Sequence, residues 1–123
     1  MMFSIKRLLK SFKSAGRGIV YVFENEQNFR IQIFVGILVM TMAVGFPLRT
    51  WEMILMILLI LMVLIMEILN TALEKLNDLL KPRLHHYVYV VKDIMAGGVL
   101  LTSLVALLIG LIIFIPYLVK LFK

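Results

Sequence analysis

The stretch MILMILLILMVLIM, at residues 53–66, decides the fold, because no position in it carries a polar side chain. Two further apolar runs, 31–48 and 94–115, carry only two polar side chains each. A helix rises 1.5 Å per residue, so a run of about 20 residues spans the roughly 30 Å hydrocarbon layer of a bilayer. We therefore expect three transmembrane helices, at residues 29–48, 51–80 and 90–118.

The composition agrees with a membrane protein. Hydrophobic residues make up 63% of the 123 positions, and the mean hydropathy is +1.04. A soluble chain this short could not bury that much apolar surface. Cysteine is absent, which excludes disulfides and cysteine-ligated metals. The expectation is one all-α integral membrane domain over residues 1–123.

The N-terminal segment, residues 1–27, has the pattern of an amphipathic helix lying in the membrane interface. Its apolar residues recur at three- and four-residue spacing, and its basic residues do so on another face: Ile5, Leu8, Leu9, Phe12 and Ile19 against Lys6, Lys10, Lys13 and Arg17. A transit peptide can look similar, but no small-residue cleavage site precedes the first apolar run. The net charge of +6 favours anionic lipid headgroups over nucleic acid as the partner, since the basic residues flank apolar runs.

The basic residues also orient the chain. Of the 13 lysines and arginines, six lie in the N-terminal region, four in the connection between the second and third transmembrane helices, and three on the opposite side. Positive charge accumulates on the cytoplasmic side of membrane proteins. We expect a multi-pass protein with its N-terminus and second connection in the cytoplasm and its C-terminus outside.

Polar residues reappear in EILNTALEKLND, residues 67–78. At 100° per residue, one helix face collects Glu67, Asn70, Thr71, Glu74 and Asp78. Glu67 lies roughly 24 Å along the helix from Trp51, still at hydrocarbon depth, where an ionised carboxylate costs several kcal/mol unless it is paired or hydrated. A solvated helix end explains Asp78 and Asn77 well and Glu67 poorly, so we interpret Glu67 and Glu74 as functional.

Two other polar blocks precede the first and third transmembrane helices. The first is ENEQNFR, residues 24–30, and the second is Lys92–Asp93. Alone, the first block fits a polar joint between helices and the second fits a positive-inside anchor. Together with Glu74, the first block could form a two-carboxylate site for Mg²⁺, and Lys92 could hold nucleotide phosphates. His85 and His86 lack spaced partners and are a weak zinc signal; no P-loop or protein-kinase motif is present.

The three blocks together resemble the bacterial diacylglycerol kinase and undecaprenol kinase family. EILNTALE (67–74) followed by Asp78, Asn25-Glu26 with Phe29-Arg30, and Lys92–Asp93 match the polar blocks of that family in order, and the resemblance covers nearly the whole chain. It implies a small three-helix lipid kinase of the bacterial cell membrane that forms a homotrimer with active sites shared between subunits.

The resemblance also implies roles for individual residues. Glu67 matches the catalytic base, and Asn70 matches a supporting polar residue beside it. Glu26 and Glu74 match the Mg²⁺ ligands. Contacts to the nucleotide, ATP, are implied for Arg7, Ser14, Glu26, Glu74, His85, Lys92 and Asp93.

The substrate is an open choice between two lipid alcohols. Ala96 stands where the diacylglycerol kinase branch has serine, and Gln32 stands where that branch has glutamate. LKSFKSAGRGI (9–19) and GLIIFIP (110–116) look like the Gram-positive undecaprenol kinase branch, so we favour undecaprenol over diacylglycerol. The rivals from another class are a small transporter or assembly factor, which could also use an intramembrane carboxylate, and a membrane-disrupting holin-like protein.

Overall fold

The computed structural model describes residues 2–123, and every regular element in this part of the chain is an α-helix. In chain order the helices are α1 (Ile5–Asn25), α2 (Gln27–Gly45), α3 (Thr50–Leu80) and α4 (His85–Leu121). Three of them, α2, α3 and α4, are long and apolar enough to cross a membrane. The predicted all-α architecture of one amphipathic helix and three membrane-spanning helices is confirmed.

Helix α1 is amphipathic and lies mostly free of the other helices. Ser4 caps its start, where its hydroxyl oxygen accepts a hydrogen bond of 3.4 Å from the Arg7 backbone N–H. Val22 is the buried residue of α1, so the apolar face between residues 5 and 19 is exposed. The predicted span of 1–27 is shortened at both ends, and Met1 lies outside the described residues.

The joint between α1 and α2 is held by backbone geometry and one arginine. Glu26 has extended backbone angles (φ −116°, ψ 111°) that end α1 and begin α2. The Arg30 guanidinium donates hydrogen bonds of 2.8 and 3.0 Å to the carbonyl oxygens of Phe23 and Glu24. Because the last carbonyls of a helix have no partner within it, Arg30 fixes the end of α1 to the first turn of α2.

Two helix ends differ from the sequence-based boundaries for physical reasons. Helix α2 ends at Gly45 rather than at 48, because Pro47 disfavours helical angles at Phe46, which is extended with ψ 152°. Helix α4 begins at His85 rather than at 90, since the apolar run marks the hydrocarbon layer and not the helix end. At its other end α4 passes through Pro116 and continues to Leu121, slightly beyond the predicted end at 118, as helices in membranes tolerate proline.

The central helix of the bundle is α3. It packs against both α4 and α2, and α1 contacts α2 and α3, whereas α2 and α4 do not pack closely on each other. The buried apolar core lies toward the end of the bundle that holds the connection between α2 and α3. It consists of Ala43, Met56, Leu59, Ile113 and Phe114. An apolar groove of about 280 Å³ is lined by α2, α3 and α4, and we call it the α2–α4 groove. On α2 its lining residues lie between Gln32 and Met42, and on α4 they lie between Ala106 and Leu118.

A polar cluster ties α3 to α4 at this same end. Glu52 is 8% exposed, and its carboxylate accepts hydrogen bonds from the Tyr117 hydroxyl and, at 2.9 Å, from the Arg49 backbone N–H. The first-turn position of Glu52 also suits a negative charge, because the N-terminus of a helix carries partial positive charge. The cluster fixes the start of α3 against the last turns of α4.

Candidate active site

Glu67 is the most deeply buried acidic side chain in the described residues, with 1% of its surface exposed. Gln32 of α2 reaches it across the helix interface, with 3.5 Å from the amide Nε2 to the carboxylate Oε2. The Thr71 hydroxyl donates instead to the backbone carbonyl of Glu67, at 3.0 Å. The carboxylate therefore sits in an apolar bundle with a long hydrogen bond from one amide, a setting that suits a group meant to accept a proton from a substrate.

Glu26 and Glu74 meet beside this buried carboxylate. Glu26 follows the end of α1 and Glu74 lies two turns beyond Glu67 on α3, and the two carboxyl groups are close enough for the charge of Glu74 to raise the pKa of Glu26. The Asn70 amide donates a hydrogen bond of 3.3 Å to the Glu74 carboxylate. The family resemblance had implied that Asn70 assists Glu67 instead.

The proximity of these acids perturbs Glu26. Burial raises the pKa of the Glu26 carboxyl, and the negative charges of Glu74 and Glu67 raise this pKa further, while Lys75 opposes the shift. Desolvation and like charge both disfavour the ionised form of an acid. A cation placed between Glu26 and Glu74 would relieve the repulsion between their negative charges.

The pair has the donor chemistry of a magnesium site. No group of three or more histidine, aspartate or glutamate side chains suited to a metal ion occurs within residues 2–123. Mg²⁺ is usually held by one or two carboxylates together with substrate phosphates and water. Glu26 and Glu74 fit this pattern.

A polar cleft connects the Glu74 end of α3 with the start of α4. Its volume is about 160 Å³, and it is lined by Glu74, Asn77, Asp78, Lys81, Val88, Tyr89 and Lys92. Lys92 thus faces the same space as Glu74, and an ammonium group there suits phosphate oxygens. Asp78 is exposed, as expected of a solvated helix end, but Asn77 is only 7% exposed, so its interpretation as a solvated residue is wrong.

The other residues proposed to contact the nucleotide are not gathered in one chain. Arg7 and Ser14 are exposed on α1, roughly 27 and 17 Å from its end at Asn25 by helix rise. His85 packs edge-on against Tyr89 at 4.8 Å between ring centroids, next to the cleft. Asp93 is exposed on α4 and does not line it.

Sequence reasoning missed two features of the polar groups. Gln32 was noted only as a departure from a family pattern, yet its side chain reaches Glu67. The feature of the sequence that could have indicated this contact is the single amide side chain of Gln32 within an apolar run. Glu52 follows Trp51 at a membrane boundary and reads as an ordinary interfacial acid, so nothing in the sequence indicated its bond to Tyr117.

Comparison with known proteins identifies the family of this chain. The family model described as prokaryotic diacylglycerol kinase matches residues 13–114, which include Glu26, Glu67, Glu74 and Lys92. The chain belongs to the prokaryotic diacylglycerol kinase family. It is thus a member of a family of membrane lipid kinases, and the resemblance drawn from the three polar blocks is confirmed.

Two relatives carry different substrate names. A diacylglycerol kinase of Synechocystis is 37% identical over 115 residues, which are 93% of this chain and 66% of the relative. An undecaprenol kinase of Bacillus subtilis is 34% identical over 112 residues, which are 91% of each chain. This chain thus spans about two thirds of the length of the first relative and nearly all of the second.

Proposed function

We propose that this protein is an ATP-dependent kinase that phosphorylates the hydroxyl group of undecaprenol to give undecaprenyl phosphate. The observation that carries the proposal is the buried Glu67 carboxylate beside the Glu26–Glu74 pair, with the Lys92 cleft at the same end of the bundle. In this proposal the buried Glu67 accepts the proton on the membrane side of the site, and the polar groups of the Lys92 cleft face water. A lipid alcohol and a nucleotide would approach from these two sides.

The proposed reaction is a direct in-line transfer. The lipid hydroxyl oxygen forms a bond to the γ-phosphorus of ATP, the bond from that phosphorus to the oxygen bridging to the β-phosphate breaks, and ADP leaves. The hydroxyl proton passes to the Glu67 carboxylate, which acts as general base. Lys92 places positive charge by the phosphates, and positioning of the two substrates supplies much of the rate enhancement.

Glu26 and Glu74 would hold Mg²⁺, with Asn70 orienting Glu74. When bound, the ion would offset the negative charge of the phosphate oxygens. Glu26, at the joint between α1 and α2, brings the surface helix and the α3 carboxylates to one place. His85 and Asp93, at the start of α4, are proposed as further nucleotide contacts.

The preference for undecaprenol rests on three features. The chain matches the undecaprenol kinase of Bacillus subtilis over 91% of that protein's length. Ala96 and Gln32 replace the serine and glutamate that mark the diacylglycerol kinase branch. Diacylglycerol is the alternative substrate, since it also presents one hydroxyl on an apolar body.

We further propose a homotrimer in which α1 of one subunit completes the site of another. Arg7 and Ser14 are too far along α1 from the Glu26–Glu74 pair to act within one chain, and the apolar face of α1 is exposed. Mixing two inactive variants, Arg7→Ala and Glu67→Gln, should restore part of the activity if sites are shared. Failure of mixed oligomers to regain any activity would contradict sharing.

The proposed location is the bacterial plasma membrane with the site on the cytoplasmic side. The distribution of lysine and arginine supports this orientation and puts the C-terminus outside. Reporter fusions after Lys123 should be active only for a reporter that works outside the cytoplasm, and a cytoplasmic signal would reverse the assignment.

ATP consumption by the purified protein in lipid bicelles tests the proposed function against a transporter or assembly protein. A kinase hydrolyses or transfers ATP only when a lipid alcohol and Mg²⁺ are both present, and chelation of Mg²⁺ abolishes the signal. No alcohol-dependent ATP consumption by folded protein would remove the proposal. If the parent protein lyses cells and the Glu67→Gln variant lyses them equally well, the holin-like alternative would be favoured.

A further inference from the structure

Tyr21 and Lys75 form a contact between α1 and α3 that the proposed mechanism leaves unused. The Lys75 ammonium lies over the Tyr21 ring, with 5.4 Å from Nζ to the ring centroid. An ammonium group within about 6 Å of a ring centroid is attracted by the negative face of the ring. The contact therefore draws the end of α1 toward α3.

Each partner of this contact lies beside one of the two proposed magnesium ligands. The lysine directly follows Glu74 on α3, and Tyr21 lies in the last turns of α1, before Glu26. Hydrogen bonds tie this end of α1 together. The Asn25 amide donates to the Tyr21 carbonyl oxygen at 2.8 Å, and the Glu26 backbone N–H donates to the Val22 carbonyl oxygen at 2.8 Å. The position of the tyrosine ring is thereby coupled to the position of Glu26.

A site divided between these two helices needs such a contact, because its carboxylates repel each other. Burial and the charge of Glu74 raise the pKa of the Glu26 carboxyl, and Lys75 acts in the opposite direction, so the positive charge of Lys75 partly offsets the repulsion. Arg30 fixes the end of α1 to α2 and not to α3. The contact of α1 with α3 is the sparsest between helices in the described part of the chain, so each attraction across it matters.

We propose that the contact between Tyr21 and Lys75 holds Glu26 opposite Glu74 before a metal ion binds, so that Tyr21 and Lys75 are positioning residues of a divalent-cation site divided between α1 and α3. This inference rests on the proposed function, which assigns the two carboxylates to Mg²⁺. A site that is already held in its binding geometry loses less freedom when the ion binds, and its affinity is higher for that reason. Loss of the contact should therefore weaken cation binding although both ligands remain.

The first measurement is the distance between α1 and α3 in metal-free protein in bicelles. The chain has no cysteine, so Ser11→Cys and Leu79→Cys, both at exposed positions, accept spin labels at these two sites alone. An excess of unlabelled protein makes distances within one chain dominate the signal. Ser11 precedes Tyr21 by roughly 15 Å of helix rise, which magnifies a change in the tilt of α1. The parent should give a narrow distance distribution, and Tyr21→Leu should give a broader one.

The second measurement is the binding of Mn²⁺ to unlabelled protein, without nucleotide or lipid alcohol, followed by the paramagnetic signal of the free ion. Tyr21→Leu leaves the charge of the protein unchanged and removes the ring. It should weaken Mn²⁺ binding by about two- to fivefold, the factor that corresponds to one cation–π contact at an exposed site. Tyr21→Phe keeps the ring face and should match the parent in both measurements.

A second background tests whether the ring acts through the lysine. Lys75→Met keeps an apolar chain of similar length and removes the ammonium group. In this background Tyr21→Leu should change neither the distance distribution nor the Mn²⁺ affinity, because the contact is already lost. Lys13→Met, the matched control at an exposed position of α1, should leave the effect of Tyr21→Leu intact. An effect of Tyr21→Leu that is equally large with and without Lys75 would overturn the inference.

The remaining outcomes separate this inference from the proposed function. Circular dichroism confirms that each variant is folded, and a folded Tyr21→Leu variant that matches the parent in either measurement overturns the role of the contact, even if the protein is an active kinase. A parent that binds no Mn²⁺ would overturn both the assignment of the carboxylate pair and this inference. Conversely, a protein that responds to Tyr21→Leu as expected but phosphorylates no lipid alcohol would support the contact and overturn the kinase.

Discussion

Replacing Glu67 by glutamine keeps the shape of the side chain and removes its capacity to take a proton. General-base catalysis is worth about 10²- to 10⁴-fold in rate, so we expect kcat for lipid phosphorylation to fall by that factor. Stability should not fall. Glu67 is 1% exposed, and an ionised carboxylate costs several kcal/mol when it leaves water, so a neutral amide in the same place should leave the free energy of unfolding unchanged or raise it.

The matched control is the same substitution at Glu52. This glutamate lies on the same helix, roughly 22 Å away by helix rise, and it is also buried, at 8% exposed. Glu52→Gln loses the charge that strengthens the bonds from Tyr117 and the Arg49 backbone. It should therefore lower the thermal stability and leave kcat close to that of the parent.

The assay measures transfer of label from γ-labelled ATP to lipid in bicelles, beside thermal unfolding of the same preparations. Two opposite profiles are expected: Glu67→Gln stable and inactive, Glu52→Gln less stable and active. Near-parental transfer by Glu67→Gln would refute the general-base role. An equal loss of kcat in both variants would show that any buried acid in α3 matters, and would refute the assignment of the site.

Other predictions follow from the remaining contacts. Glu26→Gln and Glu74→Gln should each raise the Mg²⁺ concentration for half-maximal activity by about tenfold or more, as a charge-assisted contact is lost; an unchanged Mg²⁺ titration would exclude the pair as ligands. The pKa of Glu26 is raised above the usual carboxyl value, so Mg²⁺ affinity should weaken as pH falls through this raised pKa. In the metal-free protein the protonated form of Glu26 stabilises the folded state at low pH, and this stability should be lost as pH rises through the same pKa. Glu74→Gln removes a negative charge beside Glu26 and should lower the pKa of Glu26. In this variant the loss of Mg²⁺ affinity at acidic pH should therefore occur at lower pH than in the parent. An unchanged pH dependence would contradict the coupling between the two carboxyl groups. Tyr117→Phe should lower the melting temperature without changing KM for ATP, and a changed KM would place the Glu52 cluster in the nucleotide site.

Periodicity and length were enough to predict the helices, because a bilayer allows few alternatives to helices for long apolar runs. Their ends were harder to predict. The apolar run of α4 marks the hydrocarbon layer, while the helix itself extends into the polar segment before it and through Pro116 after it. The break after Gly45 was missed, since we predicted this helix to 48, although the effect of Pro47 on the preceding residue is local and could have been recognised in the sequence.

The arrangement of the candidate site was predictable where its residues lie on one helix. The spacing of Glu67 and Glu74 on α3 put them on one face without any tertiary information. Contacts between helices were not readable in the same way, since the rotation of one helix against another depends on packing. The bond from Gln32 to Glu67, the turn of Asn70 toward Glu74 and the burial of Asn77 all depend on that packing.

The central claim is that the Glu67 site transfers phosphate from ATP to a lipid alcohol. Its most direct test is a side-by-side reaction of the purified protein with γ-labelled ATP, Mg²⁺ and either undecaprenol or diacylglycerol, with the labelled lipids separated and identified. We predict labelled undecaprenyl phosphate as the main product, with much less labelled phosphatidic acid. Labelled phosphatidic acid as the main product would reverse the substrate assignment, and no labelled lipid from either alcohol would contradict the account as a whole.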